Sequence, residues 1–337
     1  MSAFPGIEAG GVEPPALLRL LRAAASLKCT LALLALLLPA IVLAYNFEQW
    51  RSWPLAVPLA GLSLNLIASV ATNPAFRRQS GLLVFHLSLC GLLALVAVGR
   101  LTYLRGTLEL TEGATFEGQL NTVDAGPYHA GSLDRVRFIN GGFRIDYDPG
   151  LFRGATRNTV RWLDEDGGWR ESVVGDQYPL TTRGYRFYTS YNKGFAPTFE
   201  FTGSNGQTEL GSVHLPSYPL HELRQAREWQ LPGTDRTIWI MLDFDEVILD
   251  PETSSQFRMP ADYRVIVREG EHRSILAPGQ TATFPEGTLR LVGLRSWMGY
   301  NVFYDWTLPW LAAAGALAAL SLGTHFWQKF MNKPWDS

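Results

Sequence analysis

The chain has 337 residues, of which 47% are hydrophobic and 18% are charged, and its formal net charge at pH 7 is −2. The charge is unevenly distributed, because residues 106–305 hold 27 of the 31 acidic but only 19 of the 29 basic side chains. An acidic region is therefore set inside a basic, apolar frame, and its negative sign argues against nucleic acid as a partner. Both cysteines, Cys29 and Cys90, lie in apolar segments. The acidic region, with about 200 residues, is large enough to fold without disulfides.

Four apolar runs are long enough to be membrane-spanning helices, since about 20 apolar residues cross the hydrocarbon core of a bilayer. The predicted spans are residues 28–46, 54–72, 81–104 and 306–327. Basic residues precede the first run, as they do in a signal peptide, but this run exceeds a typical signal core and two more apolar runs follow closely. We therefore predict a retained helix, kinked at Pro39.

Basic residues in the short flanks of the spans predict the orientation. Seven lie on one side of the membrane, namely Arg19, Arg22, Lys28, Arg77, Arg78, Lys329 and Lys333, and three lie on the other, namely Arg51, Arg100 and Arg105. Basic flanks are enriched on the cytoplasmic side. Residues 1–27 and 328–337 are therefore predicted to be cytoplasmic, and residues 105–305 to form an extracytoplasmic domain.

The extracytoplasmic domain alternates between apolar and polar residues over short stretches separated by glycine turns, as strands do. Stretches 133–140 and 142–148 are predicted to meet at an Asn-Gly-Gly turn, and hairpins are predicted around Gly167 and Gly206. Only His221–Trp229 has a helix-like period. The predicted fold class is a membrane α-helical protein with four transmembrane helices and an all-β extracytoplasmic domain, either an antiparallel sandwich or an open barrel.

His86 is the one ionisable side chain within the apolar core of the third span. An imidazole in hydrocarbon is costly, which makes it a candidate functional residue. It could be an axial ligand of haem iron, since a porphyrin is itself apolar and can lie between helices. Alternatively, it forms a hydrogen bond to a neighbouring helix or packs without a ligand. Cys90 shares its helix face and is expected to be a small core residue.

His325 ends the fourth span, where a histidine commonly lies at the membrane interface. It could also contribute a ligand if the third and fourth spans are neighbours. Asn65 is expected to form a hydrogen bond between helices. The sequence contains no GxSxG nucleophile motif, no CxxCH haem attachment motif and no metal-ligand spacing among its other histidines. We therefore predict no catalytic residue, and the chain is not itself a c-type cytochrome.

Several segments together resemble the ResB (CcsB) family of cytochrome c biogenesis proteins. The opening helix, residues 26–44, is similar to that of the family. A stronger similarity covers residues 63–116, with the basic loop NPAFRRQSG, the FHLSL core of the third helix and the exit GTLELTEGATF. The aromatic strand pair YPLTTRGYRFYTSYNKGFAPTFEF and the end of the last helix, THFWQKF, also fit the family.

This resemblance implies a function in the bacterial inner membrane. The family, paired with a ResC (CcsA) partner, forms the system II cytochrome c synthase, which carries haem across the membrane and presents it to apocytochrome c. A histidine of the family's third helix is a haem ligand opposite a histidine of the partner, and His86 matches that position. The resemblance thus implies transient haem b shared with a ResC-type protein, apocytochrome c and membrane lipid as further partners, and a non-catalytic subunit.

Two other functions are compatible with the residues alone. The chain could be a membrane-anchored β-module that assembles another complex without haem. It could also be an electron carrier that binds haem between His86 and His325 of the same chain.

Overall fold

A computed structural model describes residues 16–220 and 224–331 of the chain, apart from the side chain of Arg77. The chain divides into two compact units. Among the described residues, the helical unit comprises residues 16–103, 125–129 and 305–331, and the β-unit comprises residues 104–124, 130–220 and 224–304. Lys333 and parts of both predicted cytoplasmic segments lie outside the described residues.

The described part of the helical unit contains helices whose bounds follow the apolar runs of the sequence. They are α1 (Ala16–Ala24), α2 (Leu27–Asn46), α3 (Trp53–Thr72), α4 (Pro74–Arg78), α5 (Ser80–Thr102) and α6 (Leu308–Met331). Helices α2, α3, α5 and α6 are long and apolar enough to cross a membrane, with mean hydropathies of 1.2 to 2.4. The prediction of four membrane helices is confirmed, and the chain is a membrane protein.

Local sequence determines where several of these helices begin. Ser26 caps α2 by accepting a hydrogen bond from the backbone N–H of Cys29 at 3.2 Å, and Asn73 caps α4 in the same way. The carboxylate of Asp305 accepts from the N–H of Thr307 at 2.9 Å, just before α6. These oxygens satisfy donors that a helix start leaves unpaired.

Small residues mark the contacts between the membrane helices. The buried residues of α5 are Gly81, Ser88, Cys90, Ala97 and Gly99. At 100° per residue, the two glycines and Ser88 lie on one face, and Cys90 and Ala97 lie on nearly the opposite face. Helix α6 packs on the first face and α3 on the second. Small side chains allow helix backbones to approach closely where lipid gives no hydrophobic drive.

Asn65 links α3 to the start of α2, as predicted. Its side chain is 5% exposed, and its Oδ1 accepts a hydrogen bond from the hydroxyl of Thr30 at 2.8 Å. Its Nδ2 donates to the carbonyl oxygens of Ala24 and Ser26. One buried amide therefore satisfies groups in the α1–α2 connection and in α2.

The β-unit is built from antiparallel strand pairs in four sheets. The strands are β1 (Leu104–Thr111), β2 (Thr115–Phe116), β3 (Thr122–Ala125), β4 (Phe138–Arg144), β5 (Asp146–Asp148), β6 (Phe152–Arg153), β7 (Arg157–Leu163), β8 (Trp169–Val174), β9 (Leu180–Thr182), β10 (Tyr185–Gly203), β11 (Thr208–Ser212), β12 (Ala226–Gln230), β13 (Thr237–Asp243), β14 (Ser255–Gln256), β15 (Arg264–Glu269), β16 (His272–Leu276), β17 (Thr281–Phe284) and β18 (Gly287–Tyr304). The largest sheet has the order β11-β10-β18-β1-β3, with β9 on β10 and β17 on β18; the others have the orders β2-β4-β7-β8, β12-β13-β15-β16 and β14-β5-β6.

Two long strands, β10 and β18, pair along most of their length and contribute to two hydrophobic cores. One core lies between one end of this pair and the sheet β2-β4-β7-β8, and includes Phe138, Phe187 and Tyr300. The other lies between the opposite end and the sheet β12-β13-β15-β16, and includes Phe199 and Ile240. This antiparallel β-architecture agrees with the predicted fold class.

In two places the observed structure differs from the local sequence pattern, and the predicted Asn-Gly-Gly turn is wrong. The Asn-Gly-Gly segment is not a turn between two strands, because β4 runs through it with a bulge opposite β7. Gly142 has φ +92°, which a glycine adopts readily, and the side chain of Asn140 is fully buried. The helix-like period of His221–Trp229 does not correspond to a helix from Ala226 onwards, where β12 pairs with β13; residues 221–223 lie outside the described residues. The burial of Trp229 against Phe199 overrides the local period.

Candidate functional site

His86 lies in the second turn of α5, among aromatic and apolar groups of the helical unit. The side chain is half-buried. Its ring centroid lies 4.4 Å from that of Phe76 in α4 and 5.2 Å from that of its neighbour Phe85. Helix α4, only five residues long, thus places an aromatic ring on the imidazole.

A backbone contact determines which nitrogen of His86 carries the proton. Nδ1 lies 2.7 Å from the carbonyl oxygen of Leu82, one turn earlier in α5. Because a carbonyl oxygen only accepts, Nδ1 must be the donor. In the neutral ring the lone pair is then on Nε2, the arrangement in which histidines bind metals while the other nitrogen is held by a carbonyl group. The imidazole has the tautomer of an axial ligand.

His325 is close to α5, but it faces a different side of that helix. A Cβ atom added to Gly81 would lie 3.0 Å from the Cβ of His325, so these residues are in direct contact. His86 follows Gly81 by five residues, which places it about 140° around α5 and about 7.5 Å along its axis. The two histidines are therefore on adjacent helices, which is the arrangement that the sequence left open. They lie on different sides of α5 and do not face one another across a shared pocket.

The opposite end of α5 has a different chemistry. There the guanidinium of Arg100 donates to the carbonyl of Arg51, and the indole N–H of Trp306 donates to the hydroxyl of Thr102 at 3.0 Å. Trp53 and Tyr128 form an edge-to-face pair 5.7 Å apart. Arginine and tryptophan at this end are typical of a membrane interface.

Residues 16–220 and 224–331 contain no cluster of three His, Cys, Asp or Glu side chains that could hold a metal ion. A haem iron does not need such a cluster, because the porphyrin supplies four nitrogens and the protein supplies axial ligands. Cys90 is 5% exposed and lies in the α3–α5 contact, where its carbonyl accepts from the hydroxyl of Ser63 at 3.0 Å. This agrees with its expected role as a small core residue.

The β-unit contains two polar clusters that sequence reasoning missed. In the first, Nδ1 of His214 lies 3.1 Å from a carboxylate oxygen of Glu109, and its Nε2 lies 2.9 Å from the hydroxyl of Thr111. The ring stacks on Trp297 at a centroid distance of 5.0 Å. The hydrogen bond from His214 lowers the pKa of the Glu109 carboxyl below its ordinary value. Residues 109 and 111 share a strand face, but nothing local in the sequence indicates that His214, about a hundred residues away, joins them.

The second cluster joins Arg153, Asp176 and Lys193. Lys193 is 3% exposed and lies in β10, on the same inward alternation as Tyr185 and Phe187. The exposed Tyr191 interrupts this alternation, so the local pattern gives no signal for a buried lysine at position 193.

A protein-family model matches most of the chain. The model of the ResB-like family matches residues 68–329. Among solved structures, the chain is similar to Cytochrome c Heme Lyase CcmF, with 15% identity and a TM-score of 0.30, over 92% of this chain and 38% of that one. The chain thus spans well under half the length of that structure. No curated protein matches the chain.

Proposed function

Because this chain belongs to the ResB-like family, we propose that it is the haem-holding membrane subunit of a cytochrome c maturation complex. The observation that carries the proposal is the state of His86, whose Nδ1–H is held by the carbonyl of Leu82 so that Nε2 has the lone pair. A histidine retained in an apolar helix needs a partner for its polar atoms. An iron ion would supply that partner for Nε2.

The surroundings of His86 fit a porphyrin. Phe76 and Phe85 present aromatic rings to the imidazole, and exposed apolar residues of α5 such as Leu87 lie next to it in the sequence. When bound, haem supplies a flat apolar ring and an iron that accepts axial nitrogen ligands. His86 would hold the iron from one side, and the carbonyl of Leu82 would keep the imidazole in the ligating tautomer.

The second axial ligand is proposed to come from another protein. His325 is in contact with Gly81, about 140° around α5 from His86. This geometry argues against a haem held between the two histidines of one chain. A ResC (CcsA)-type membrane subunit is the proposed partner, and the haem would be of the b type and bound transiently.

The β-unit is proposed to lie outside the cytoplasmic membrane of a bacterium, with both termini in the cytoplasm. The basic flanks of the spans support this orientation. The β-unit would then contact the outer loops of the partner or the apocytochrome. Thioether bonds would form with the thiolates of the apocytochrome, and this chain would position the haem without a catalytic residue of its own.

The test is haem retention by the chain co-purified with a ResC-type partner. We expect His86→Ala to remove the b-type absorption of the complex and to stop cytochrome c maturation at unchanged protein level. Added imidazole should restore part of both, because it supplies the missing nitrogen in the truncated site. His325→Ala is the matched control and should retain haem.

The other functions predict different outcomes. A carrier with both ligands in one chain would bind haem without the partner and lose it in either histidine variant. An assembly subunit without haem would show no absorption in any preparation. Normal haem content in His86→Ala, at normal protein level, would refute ligation by His86.

A further inference from the structure

Lys193 is a buried cation in the β-unit, and its position results from an irregularity in β10. Thr189 pairs with Tyr300 and Lys193 pairs with Met298, so residues 190–192 lie opposite the single residue Gly299. A Cβ on Gly299 would lie 2.5 Å from the hydroxyl oxygen of Ser190. The glycine thus allows the bulge, and the bulge returns Lys193 to the inward face of the strand.

Arg153 and Lys193 both contact Tyr191, and Arg153 is held by groups from two other segments. Its Nη2 donates to both carboxylate oxygens of Asp176, at 2.9 and 2.6 Å, and to the hydroxyl of Thr156. The hydroxyl of Thr189 also donates to Asp176, at 2.8 Å. The single carboxylate of the cluster is therefore already engaged by Arg153 and Thr189.

Tyr191 connects the two cations and borders the solvent. Its carbonyl accepts from the Nζ of Lys193 at 3.1 Å, and its ring lies 4.7 Å from the guanidinium carbon of Arg153. The side chain of Tyr191 is 73% exposed, and those of Arg153 and Asp176 are 20% and 35% exposed. The cluster therefore has a buried ammonium at its base and an aromatic ring at its rim.

The cluster has one positive charge in excess. Two cations share one carboxylate, and the Nε of Arg153 is buried without a hydrogen-bond partner among the described residues. Burial, with a smaller contribution from Arg153, lowers the pKa of Lys193 to about 8, while Asp176 acts in the opposite direction. Lys193 is therefore still mostly charged at pH 7, in a place where an uncompensated charge is costly.

Two other arginines of the β-unit, Arg236 and Arg170, have the opposite balance. Arg236 contacts Glu269 and Glu286, and Arg170 contacts Asp164 and Asp166. In each of these groups carboxylates outnumber cations. The Arg153–Lys193 cluster differs because two cations lie near a single carboxylate, and Lys193 donates to only one acceptor, the carbonyl of Tyr191.

We propose that Arg153, Lys193 and Tyr191 form a binding site for the carboxylate of a small ligand. The carboxylate would accept hydrogen bonds from Lys193 Nζ and Arg153 Nε and neutralise the excess charge. The aromatic ring of Tyr191 suits a ligand with a flat apolar body. Such a carboxylate could come from a free organic acid or from a porphyrin propionate, and the second source rests on the proposed function.

The test uses the full chain in detergent and three iron-free probes: succinate, protoporphyrin IX and protoporphyrin dimethyl ester. Binding is followed by thermal stabilisation and by quenching of tryptophan fluorescence, with empty micelles as the blank. The measurements are made in a His86→Ala background, so that the result does not depend on ligation by His86. The esterified porphyrin has the same ring without free carboxylates.

Lys193→Met should weaken binding of the acid at least tenfold, because it removes the buried ammonium. An apolar chain of similar length is expected to keep the fold. Asp176→Asn is a second variant and should tighten binding, since it removes the competing carboxylate. Arg290→Met is the matched control, because Arg290 is already paired with Glu200 and should leave binding unchanged.

The outcomes separate the two sources and can overturn the site. If succinate binds as tightly as protoporphyrin IX, the ligand is a free organic acid. If protoporphyrin IX binds more tightly than succinate and also more tightly than its dimethyl ester, the ligand is a porphyrin propionate. Either result supports a carboxylate site if Lys193→Met abolishes it. Equal binding by wild type and Lys193→Met, equal binding of acid and ester, or no binding of either acid would each overturn the proposal.

Discussion

The helical unit and the β-unit differ in the size of the residues that they bury. In α5 the buried residues are small, and large apolar side chains such as Leu87 and Val96 are exposed. In the β-unit the fully buried residues are large, with Tyr300 and Phe138 among them. The difference follows from the solvent of each unit. In lipid, helices associate through close backbone packing, whereas in water the removal of apolar area from the solvent stabilises the fold.

The hydrogen-bond partners of polar side chains also differ between α5 and the β-unit. In the membrane helices, Ser88 and His86 bond to backbone carbonyls one turn earlier, at 2.8 and 2.7 Å. In the β-unit, Asn140, Asn158 and Tyr300 form a buried side-chain network between strands of two sheets. Ser88 and His86 are thus satisfied within α5 itself, whereas Asn65 and Ser63 of α3 bond to neighbouring helices. A residue that keeps a lone pair, as His86 does, is a candidate for ligand binding.

The largest expected effect on stability is in the polar network of the β-unit. Asn158 donates to Asn140 Oδ1 at 2.7 Å and accepts from the Tyr300 hydroxyl at 2.6 Å. Asn158→Ala should lower the free energy of unfolding by about 2–4 kcal/mol, because it leaves the buried hydroxyl of Tyr300 without its acceptor and removes the hydrogen bonds to Asn140 Oδ1 and to the carbonyl of Gly142. Urea unfolding followed by tryptophan fluorescence measures it. Tyr300→Phe, which removes one hydroxyl, should cost less. Equal stability of Asn158→Ala and wild type would contradict the network.

The next effect concerns the packing of the membrane helices. A Cβ on Gly81 would lie 3.1 Å from the backbone oxygen of Ser321, whereas a Cβ on Gly91 would have nothing within 4 Å. Gly81→Leu should therefore destabilise the α5–α6 contact by about 1–3 kcal/mol, as overpacking does. Gly91→Leu is the control in the same helix and should be neutral. Loss of helical circular dichroism on heating compares them; indistinguishable midpoints would contradict the assigned faces.

A smaller effect is the pH dependence caused by Lys193. Its pKa is about 8 in the folded chain, below the ordinary lysine pKa of about 10.4. The fold thus disfavours the charged form, and the unfolded chain binds more protons between these values. Stability should rise as the pH increases from 8 towards 10, and this rise should be absent in Lys193→Met. Urea midpoints at the two pH values measure it; parallel changes in both proteins would contradict a buried, charged lysine.

The sequence predicts the helices better than the β-unit for physical reasons. An apolar run of about 20 residues has few alternatives to a membrane helix, so the four spans and the isolated histidine can be identified directly. Asn140-Gly141-Gly142 has the composition of a turn, but the buried amide of Asn140 makes it part of a strand. Such a contact depends on Asn158 and Tyr300, which are distant in the sequence.

The residues of the candidate sites also differ in how far the sequence predicts them. The isolation of His86 in an apolar helix marks it as a candidate functional residue, and the family resemblance identifies it as a haem ligand. Its contact with Leu82 follows from the helix repeat. The side of α5 that faces His325 could not be predicted, because it depends on how α6 packs. The Arg153–Lys193 cluster joins strands across a bulge, and no local sequence pattern predicts that bulge.

Ligation by His86 is tested most directly by exchanging the ligand rather than removing it. Met is flexible enough to reach an iron from the same helix position, and a thioether ligand raises the reduction potential of a haem relative to histidine. In the complex co-purified with a ResC-type partner, His86→Met should therefore shift the absorption of the reduced haem and raise its midpoint potential. A haem with unchanged absorption and potential, at normal content, would contradict coordination of the iron by His86.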